Sequence, residues 1–254
     1  MHNFFSSMIK ITLILISALF LSACGSTGNQ AGTGETSLAE KNKQAAQAKE
    51  KQRKIKQSIL NYTKADDDYK AFVAKFLRGE AQPSDFDAIV RLYPLTSKYS
   101  PYGNTEKDQK LAAFESMEQE NWGACLQATN IILDENYTSL TGHYGAMVCH
   151  YESGERLVGE YHNTLLDGFI DTILRSGDGQ TPSSAFYIIS TNDLNAFIQL
   201  NGMLVTGQSL VYHEERPMDV IEVLDPETKQ ESTWYFDVTA QFRRGVFDDL
   251  ESRR

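Results

Sequence analysis

The stretch GFIDTILRSGDGQTPSSAFYIIS, from Gly168 to Ser190, contains the change from helix to strand that decides the fold. Its apolar residues recur at helical spacing up to about Ser176, whereas the closing FYIIS has the aromatic and β-branched residues typical of a strand. The change predicts a helical half at about residues 65–176 and a sheet half at about 177–242. Helices followed by strands indicate an α+β fold.

Before this stretch, apolar periodicity predicts consecutive helices. Small residues such as Gly123, Ala128 and Ala146 allow two helices to approach closely, and the pattern is similar to tetratricopeptide hairpins. No repeat appears at the expected period, so we expect one or two irregular hairpins and not an array. The predicted helices are an amphipathic one from Asp66 to Leu77, a short one around Phe86–Tyr93, and then Leu111–Glu120, Trp122–Asp134 and Tyr137–Glu152.

After this stretch, short strand-like runs alternate with turn residues. They predict a small, mainly antiparallel sheet with one short helix. The strand candidates are AFYIIST, MLVTGQSLVYHE, DVIEVL and STWYFDVTAQF, the short helix is TNDLNAFIQLNG, and DPETKQ is the turn between the last two strands.

The chain begins with one lysine, Lys10, followed by an apolar run that is too short for a comfortable membrane span. The run ends in LSAC, Leu21 to Cys24, which resembles the lipobox of bacterial lipoproteins. The resemblance implies a signal peptide at residues 1–23, cleavage before Cys24, and acylation of Cys24 with chains such as palmitate. Gly25 favours the outer membrane, with the protein facing the periplasm. The alternative is an ordinary signal peptide or a buried helix.

Charge divides the rest of the chain into a tether, residues 24–64, and a single domain, residues 65–254. The tether has eight Lys or Arg against three Glu, and the domain has fifteen against thirty-one Asp or Glu. So acidic a body argues against binding to nucleic acid. The basic tether either lies along anionic lipid headgroups or is a solvated spacer.

The sequence RSGDGQTP raises two hypotheses about one loop. In the first, Gly177 ends the helix with a positive φ and Asp178 bonds the chain two residues later, so the loop is only a turn. In the second, Ser176, Asp178 and Thr181 hold a cation or a small molecule, and the acids of Asp167 or Asp171 assist. The loop lacks the repeated acids of a calcium site.

Candidate residues for catalysis and metal binding are few. His143 and His150 share a helix face and His162 follows on the next helix, but two turns separate the first two, so they are weak metal candidates. Cys125 and Cys149 form either a disulfide or two buried thiols. Without a G-x-S-x-G elbow or a cofactor motif, we expect no catalytic residue and no cofactor.

The phrase FDAIVRLYPLTSKYSPYG, the helical hairpin, the run from Tyr161 to Ile198 and the late WYFDV together resemble a family of bacterial envelope proteins known as domain of unknown function number 4919. The resemblance extends from about Asp66 to Val238. It implies a secreted or lipid-anchored protein with a single module, and it implies no reaction.

We therefore expect an uncharacterised, lipid-anchored envelope protein without catalysis, whose helical half or sheet edge binds another envelope protein. One alternative is a binder of a small molecule or cation at Ser176–Thr181. The other is a hydrolase that uses His143 or His162.

Overall fold

The computed structural model describes residues 38–103 and 105–244. The predicted signal peptide, Cys24 and the linker up to Ser37 lie outside the described residues. A compact unit begins at Glu50. Within the described ranges, no helix is both long and apolar enough to cross a membrane.

The first helix is longer than the sequence pattern indicates. Helix α1 runs without a break over Leu38–Leu77, so the helical part of the predicted tether and the first amphipathic helix are one element. The predicted boundary between tether and domain, at residues 64 and 65, falls inside it. Gln, Lys and Ala in the tether favour helix even without an apolar stripe. The other helices are α2 (Pro83–Leu92), α3 (Thr105–Glu118), α4 (Trp122–Glu135), α5 (Leu140–Glu152), α6 (Arg156–Ser176), α7 (Thr191–Leu200) and α8 (Thr239–Phe242).

Side-chain caps start three of these helices. The side chains of Asn121, Ser139 and Ser190 accept hydrogen bonds from backbone N–H groups in the first turns of α4, α5 and α7. Such caps satisfy N–H groups that have no partner within the helix. Helix α3 packs on α4, α4 on α5, and α5 on α6, which confirms the predicted helical hairpins.

The sheet has four strands, β1 (Phe186–Tyr187), β2 (Leu204–His213), β3 (Arg216–Leu224) and β4 (Glu231–Asp237), in the order β1-β4-β3-β2. Strand β1 pairs with β4 in parallel, and the other two pairs are antiparallel. The small, mainly antiparallel sheet and the α+β class are therefore confirmed.

Two strand predictions are too long. Only two residues of AFYIIST belong to β1, because Ile188 and Ile189 are buried in the core beyond the end of the strand. The last strand ends at Asp237 and does not continue to Phe242, because the Asp237 carboxylate accepts the Thr239 N–H and the chain turns into α8. A hydrophobic run alone does not distinguish a strand from a buried connector.

The core lies between one face of the sheet and the helices. On the sheet side, Phe186, Phe197 and Phe236 pack with centroid distances of 5.2 to 6.2 Å. On the helical side, Phe76 and Phe169 are both almost fully buried. These aromatic residues belong to one continuous cluster, so the two halves share a single core.

Cys125 in α4 and Cys149 in α5 form a disulfide, with Cα atoms 6.2 Å apart. Both residues are fully buried and pack with Ala113 and Ala128 in a small second cluster. The bond thus joins two neighbouring helices where the apolar contact is limited.

Candidate functional sites

The loop after α6 uses its polar groups within the chain. Ser176 donates its hydroxyl to the Ile173 carbonyl at 2.6 Å and accepts the Tyr187 N–H at 2.7 Å. One Asp178 oxygen accepts the Gln180 N–H at 2.9 Å and the Ser184 hydroxyl at 2.5 Å. The bond from the Gln180 N–H to Asp178, two residues earlier in the chain, is typical of a turn.

The remaining member of the proposed ligand set is Thr181. Its hydroxyl lies 2.8 Å from that of Ser184. Asp167 belongs to a different contact, because its carboxylate lies 3.4 Å from the Asn163 amide. The loop as a ligand site stays a prediction without a further observation in its favour.

The prediction of a positive φ at Gly177 is wrong. Its φ is 176°, which is extended backbone, and the left-handed residue of the loop is Gly179, with a φ of 67°. Gly177 is needed for space instead, because a Cβ atom there would lie 2.2 Å from the Ser184 carbonyl oxygen. The loop folds back on itself at this point and leads directly into β1.

The three histidines predicted as weak metal candidates lie together. His143 and His162 approach with their Nδ1 atoms 3.0 Å apart, and the rings of His150 and His162 stack at 5.5 Å. The second nitrogen of His143 lies 2.7 Å from the Tyr137 carbonyl oxygen. Among the described residues, no group of three or more His, Cys, Asp or Glu could hold a metal ion.

The hydrogen bonds determine how the neutral imidazoles are protonated. Burial lowers the pKa of His143 to about 3 and that of His162 to about 4, so both rings are neutral near pH 7. A carbonyl only accepts, so His143 Nε2 donates to Tyr137 and His143 Nδ1 accepts from His162 Nδ1. A buried imidazole with so low a pKa is a weak general base, which gives hydrolysis no support.

A cavity of about 670 Å³ lies beside His162. Its walls are largely apolar or aromatic, with Val73, Leu133 and Val158 among them, and the hydroxyls of Tyr137 and Tyr161 lie 2.5 Å apart at its edge. In the described part of the chain, neither His143 nor His162 is hydrogen-bonded to a Ser, Thr or Cys side chain. The cluster therefore lacks an activated nucleophile.

The sheet has an open edge at β2, which is ten residues long and has the sequence LVTGQSLVYH. It pairs with β3 on one side and lies at the end of the strand order. It has no Asp, Glu, Lys, Arg or Pro, the residues that usually protect an edge strand from further pairing. Within residues 38–103 and 105–244, no strand pairs with its outward side, and its pairing with β3 is regular from Gly207 to His213 after a register shift at Val205–Gly207.

The side chains of β2 extend the apolar surface of the core. Leu210 and Tyr212 pair with Asp219 and Pro217, so by the alternation of the strands they are on the same sheet face as the buried Ile221. Both are exposed, Leu210 by 45% and Tyr212 by 63%.

Residues 53–244, well over half of the chain, match the family model described as "Domain of unknown function (DUF4919)". This chain belongs to the DUF4919 family. No curated protein and no solved structure is significantly similar to it.

The DUF4919 match includes the loop, the histidines, both core cysteines and the β2 edge, whereas Cys24 precedes it. The edge is the surface that our sequence reasoning identified only in general terms. A signal was present, because MLVTGQSLVY has ten successive residues without a charge and with several β-branched or aromatic members. What the pattern lacks is the strand order, which makes β2 an edge.

Proposed function

We propose that this DUF4919 protein is a non-catalytic protein-binding module of the bacterial envelope, which binds an extended segment of a partner as an additional strand beside β2. The observation that carries the proposal is the uncharged, ten-residue edge strand with exposed apolar side chains. In this mode, main-chain hydrogen bonds provide affinity and alternate side chains provide specificity.

The apolar groups at the edge define what the added strand contributes. Leu210 and Tyr212 offer an apolar surface on one face of the sheet, and the half-exposed Val211 offers a contact on the other. Burying such side chains stabilises a complex by roughly 25 cal/mol per Å² of apolar area. A partner segment with alternating apolar residues fits this edge.

Charge identifies the partner further. Glu214 and Glu215 form the turn at the end of β2, both with positive φ, and Glu222 is exposed on the neighbouring β3. Residues 65–254 have a net charge of −16. Two copies of this domain would repel each other, so we infer a partner segment that is flanked by Lys or Arg and not a second copy.

The location of the protein is part of the same proposal. The lipobox-like LSAC supports acylation at Cys24, and Gly25 supports an outer-membrane anchor that faces the periplasm. Several acyl chains would hold the protein at the membrane, since each buried methylene stabilises by about 0.8 kcal/mol. A labelled-palmitate incorporation that disappears in Cys24→Ala tests this part.

The binding proposal is tested by photocrosslinking in intact cells. A photoreactive residue replaces Tyr212 on β2 or, as the control, Leu157, which is an equally apolar and even more exposed residue on α6. We expect a discrete adduct from position 212 and none from position 157. A second change, Val211→Lys, should remove the adduct, because a lysine at an edge disfavours strand addition and repels a basic partner.

Thermal unfolding of the Val211→Lys protein shows whether the variant is folded. The proposal fails if position 212 gives no adduct, or if its adduct persists unchanged in Val211→Lys. An adduct from position 157 that is stronger than that from position 212 would move the binding surface to the helical half.

A further inference from the structure

A second cavity, far more basic than the rest of the domain, lies between α1, the end of α2 and α8. Its volume is about 810 Å³, within the range typical of sites for small molecules. Four cationic side chains and one acid line it, although the domain as a whole has twice as many acids as bases. These charged residues are Lys64, Asp68, Arg91, Arg243 and Arg244.

Two arginines of this cleft, Arg91 and Arg243, differ from the arginines elsewhere in the domain. Each arginine elsewhere in the described part of the chain pairs with a carboxylate: Arg53, Arg78, Arg156, Arg175 and Arg216. Within residues 38–103 and 105–244, by contrast, no carboxylate forms an ion pair with Arg91 or Arg243. In a domain with so many acids, two guanidinium groups that face the same cleft without a carboxylate indicate a site for an external anion.

Aromatic rings hold the guanidinium groups in place. Arg91 lies 5.0 Å above the Tyr187 ring, and Arg244 lies 4.4 Å above the Tyr62 ring. Stacking occupies the face of a guanidinium, whereas its N–H groups lie in its plane and stay in position to donate. Arg244 is further oriented by a hydrogen bond to the Thr96 carbonyl at 2.8 Å.

Arg91 and Arg243 line the same cleft from different elements. Burial raises the pKa of the Tyr187 hydroxyl, and the charge of Arg91 opposes this rise; the charge of Asp237 raises the pKa further, and that of Arg243 lowers it by the smallest amount. Tyr187 lines the cleft together with both arginines, which come from α2 and from the residue directly after α8. An anion bound in this cleft would have both guanidinium groups along its walls.

We propose that this cleft binds a phosphate ester whose organic part is apolar or planar. The fork of an arginine matches phosphate oxygens in a bidentate manner. The lining has a net charge of about +3, which suits the charge of about −2 that a phosphate monoester has above pH 7. The rest of the volume faces Leu92, Pro94, Leu95 and Ala240, which would contact the organic part.

The test is calorimetric titration of the purified full-length protein at pH 8 and low salt with phenyl phosphate. Benzyl alcohol and inorganic phosphate serve as probes for the separate parts of the ligand. We expect phenyl phosphate to bind more tightly than either, and to bind about tenfold more weakly or worse in the double variant Arg91→Gln, Arg243→Gln. The matched control is Arg175→Gln, whose guanidinium pairs with Asp87 on the surface, and it should leave the affinity unchanged.

A parallel arm distinguishes a free ester from a lipid headgroup. Vesicles of phosphatidylcholine with and without phosphatidic acid are tested for sedimentation with the protein and with both variants. Arginine-dependent binding of phenyl phosphate assigns a free ester, and arginine-dependent binding to phosphatidic acid vesicles alone assigns a lipid; either supports the site. If no phosphate probe binds, or if binding is equal in the double variant and that variant unfolds at the wild-type temperature, the proposal is overturned.

Discussion

At the scale of single residues, one half-buried carboxyl group, that of Glu106, and one buried carboxyl group, that of Asp193, join the helical half to the first helix of the sheet half. Asp193 accepts the Leu140 N–H at 3.0 Å and the Ser190 hydroxyl at 2.7 Å, and Glu106 accepts the Ser139 hydroxyl at 2.6 Å. Burial raises the pKa of Glu106 to about 7, with the charge of Asp193 as the next cause, and burial raises the pKa of Asp193 to about 6. Both carboxyl groups therefore hold a proton more tightly in the folded protein than in the unfolded chain.

This raised pKa predicts how stability depends on pH. The folded state holds the proton of Glu106 more tightly than the unfolded state does, so the contribution to stability is complete below about pH 4.5 and is lost as the pH rises through about 7. We expect Glu106→Gln, which keeps an acceptor but has no charge, to increase the free energy of unfolding relative to wild type at pH 8 and to lose this advantage near pH 5.

Urea unfolding at the two pH values measures the effect. The exposed Glu115→Gln, also on α3, is the control and should show no such pH-dependent difference. An advantage of Glu106→Gln that is equal at pH 5 and pH 8 would contradict the assignment.

The histidine cluster gives a second prediction at this scale. Because the Tyr137 carbonyl only accepts, the hydrogen bonds assign the proton to Nε2 of His143 and to Nδ1 of His162. Long-range nitrogen–proton correlation spectra at pH 7 should show these two different tautomers, with neither ring titrating between pH 8 and pH 5. Identical tautomers, or a midpoint near 6.5 for either ring, would be inconsistent with the buried pair.

At the scale of elements, the turn after α6 depends on Gly179 for its backbone conformation and for the space beside it, and Gly154, in the turn between α5 and α6, allows the two effects to be separated. Both glycines have positive φ, but a Cβ on Gly179 would lie 2.2 Å from the Phe186 ring, whereas one on Gly154 would meet nothing within 4 Å. We expect Gly154→Ala to cost about 1 to 2 kcal/mol for backbone strain. Gly179→Ala should cost about 1 to 3 kcal/mol more, because Phe186 must move. Equal losses in chemical denaturation would show that Phe186 adapts freely.

The disulfide between α4 and α5 gives the other prediction for elements. It closes a loop with a sequence separation of 24 residues next to a cluster with few apolar residues. Its reduction should lower the free energy of unfolding by about 2 to 4 kcal/mol. Thermal melts with and without reductant measure this, and a Cys125→Ala, Cys149→Ala protein should be insensitive to reductant. A wild-type melt that reductant leaves unchanged would indicate two buried thiols.

At the scale of the whole molecule, the compact unit from Glu50 and the family match from residue 53 define nearly the same domain. The common core of helices and sheet lies entirely within it. We expect a protein that lacks residues 1–49 to unfold in one cooperative transition at the wild-type temperature, because none of its buried residues is removed. A transition lowered by more than about 4 °C would show that the N-terminal part stabilises the domain.

Much of this architecture could be predicted from local patterns. The end of α6 at Ser176, the capped α7 and the turn at Asp225–Gln230 follow from apolar periodicity, a serine cap and turn residues. These features depend on neighbours in the chain. The φ of Gly177 could not be predicted this way, because Ser184 determines the space around it.

The candidate functional sites could not be predicted from local sequence patterns in the same way. His143 and His162 are 19 positions apart, and only the packing of α5 on α6 brings their nitrogens to 3.0 Å. Arg91 and Arg243 are much further apart along the chain, and only the tertiary structure brings them to the walls of one cleft. Spacing along a helix reports a shared face but not what that face meets.

The sequence by itself determined the succession of helices and then strands, the acidic body and the lipobox-like N-terminus, because periodicity, charge and short motifs are local properties of a chain. Only the tertiary structure decided that β2 lies at the end of the strand order, that His143 and His162 bond to each other, and that Arg91 and Arg243 share a cleft. These features require residues distant in sequence to meet, and burial in one common core determines which of them do.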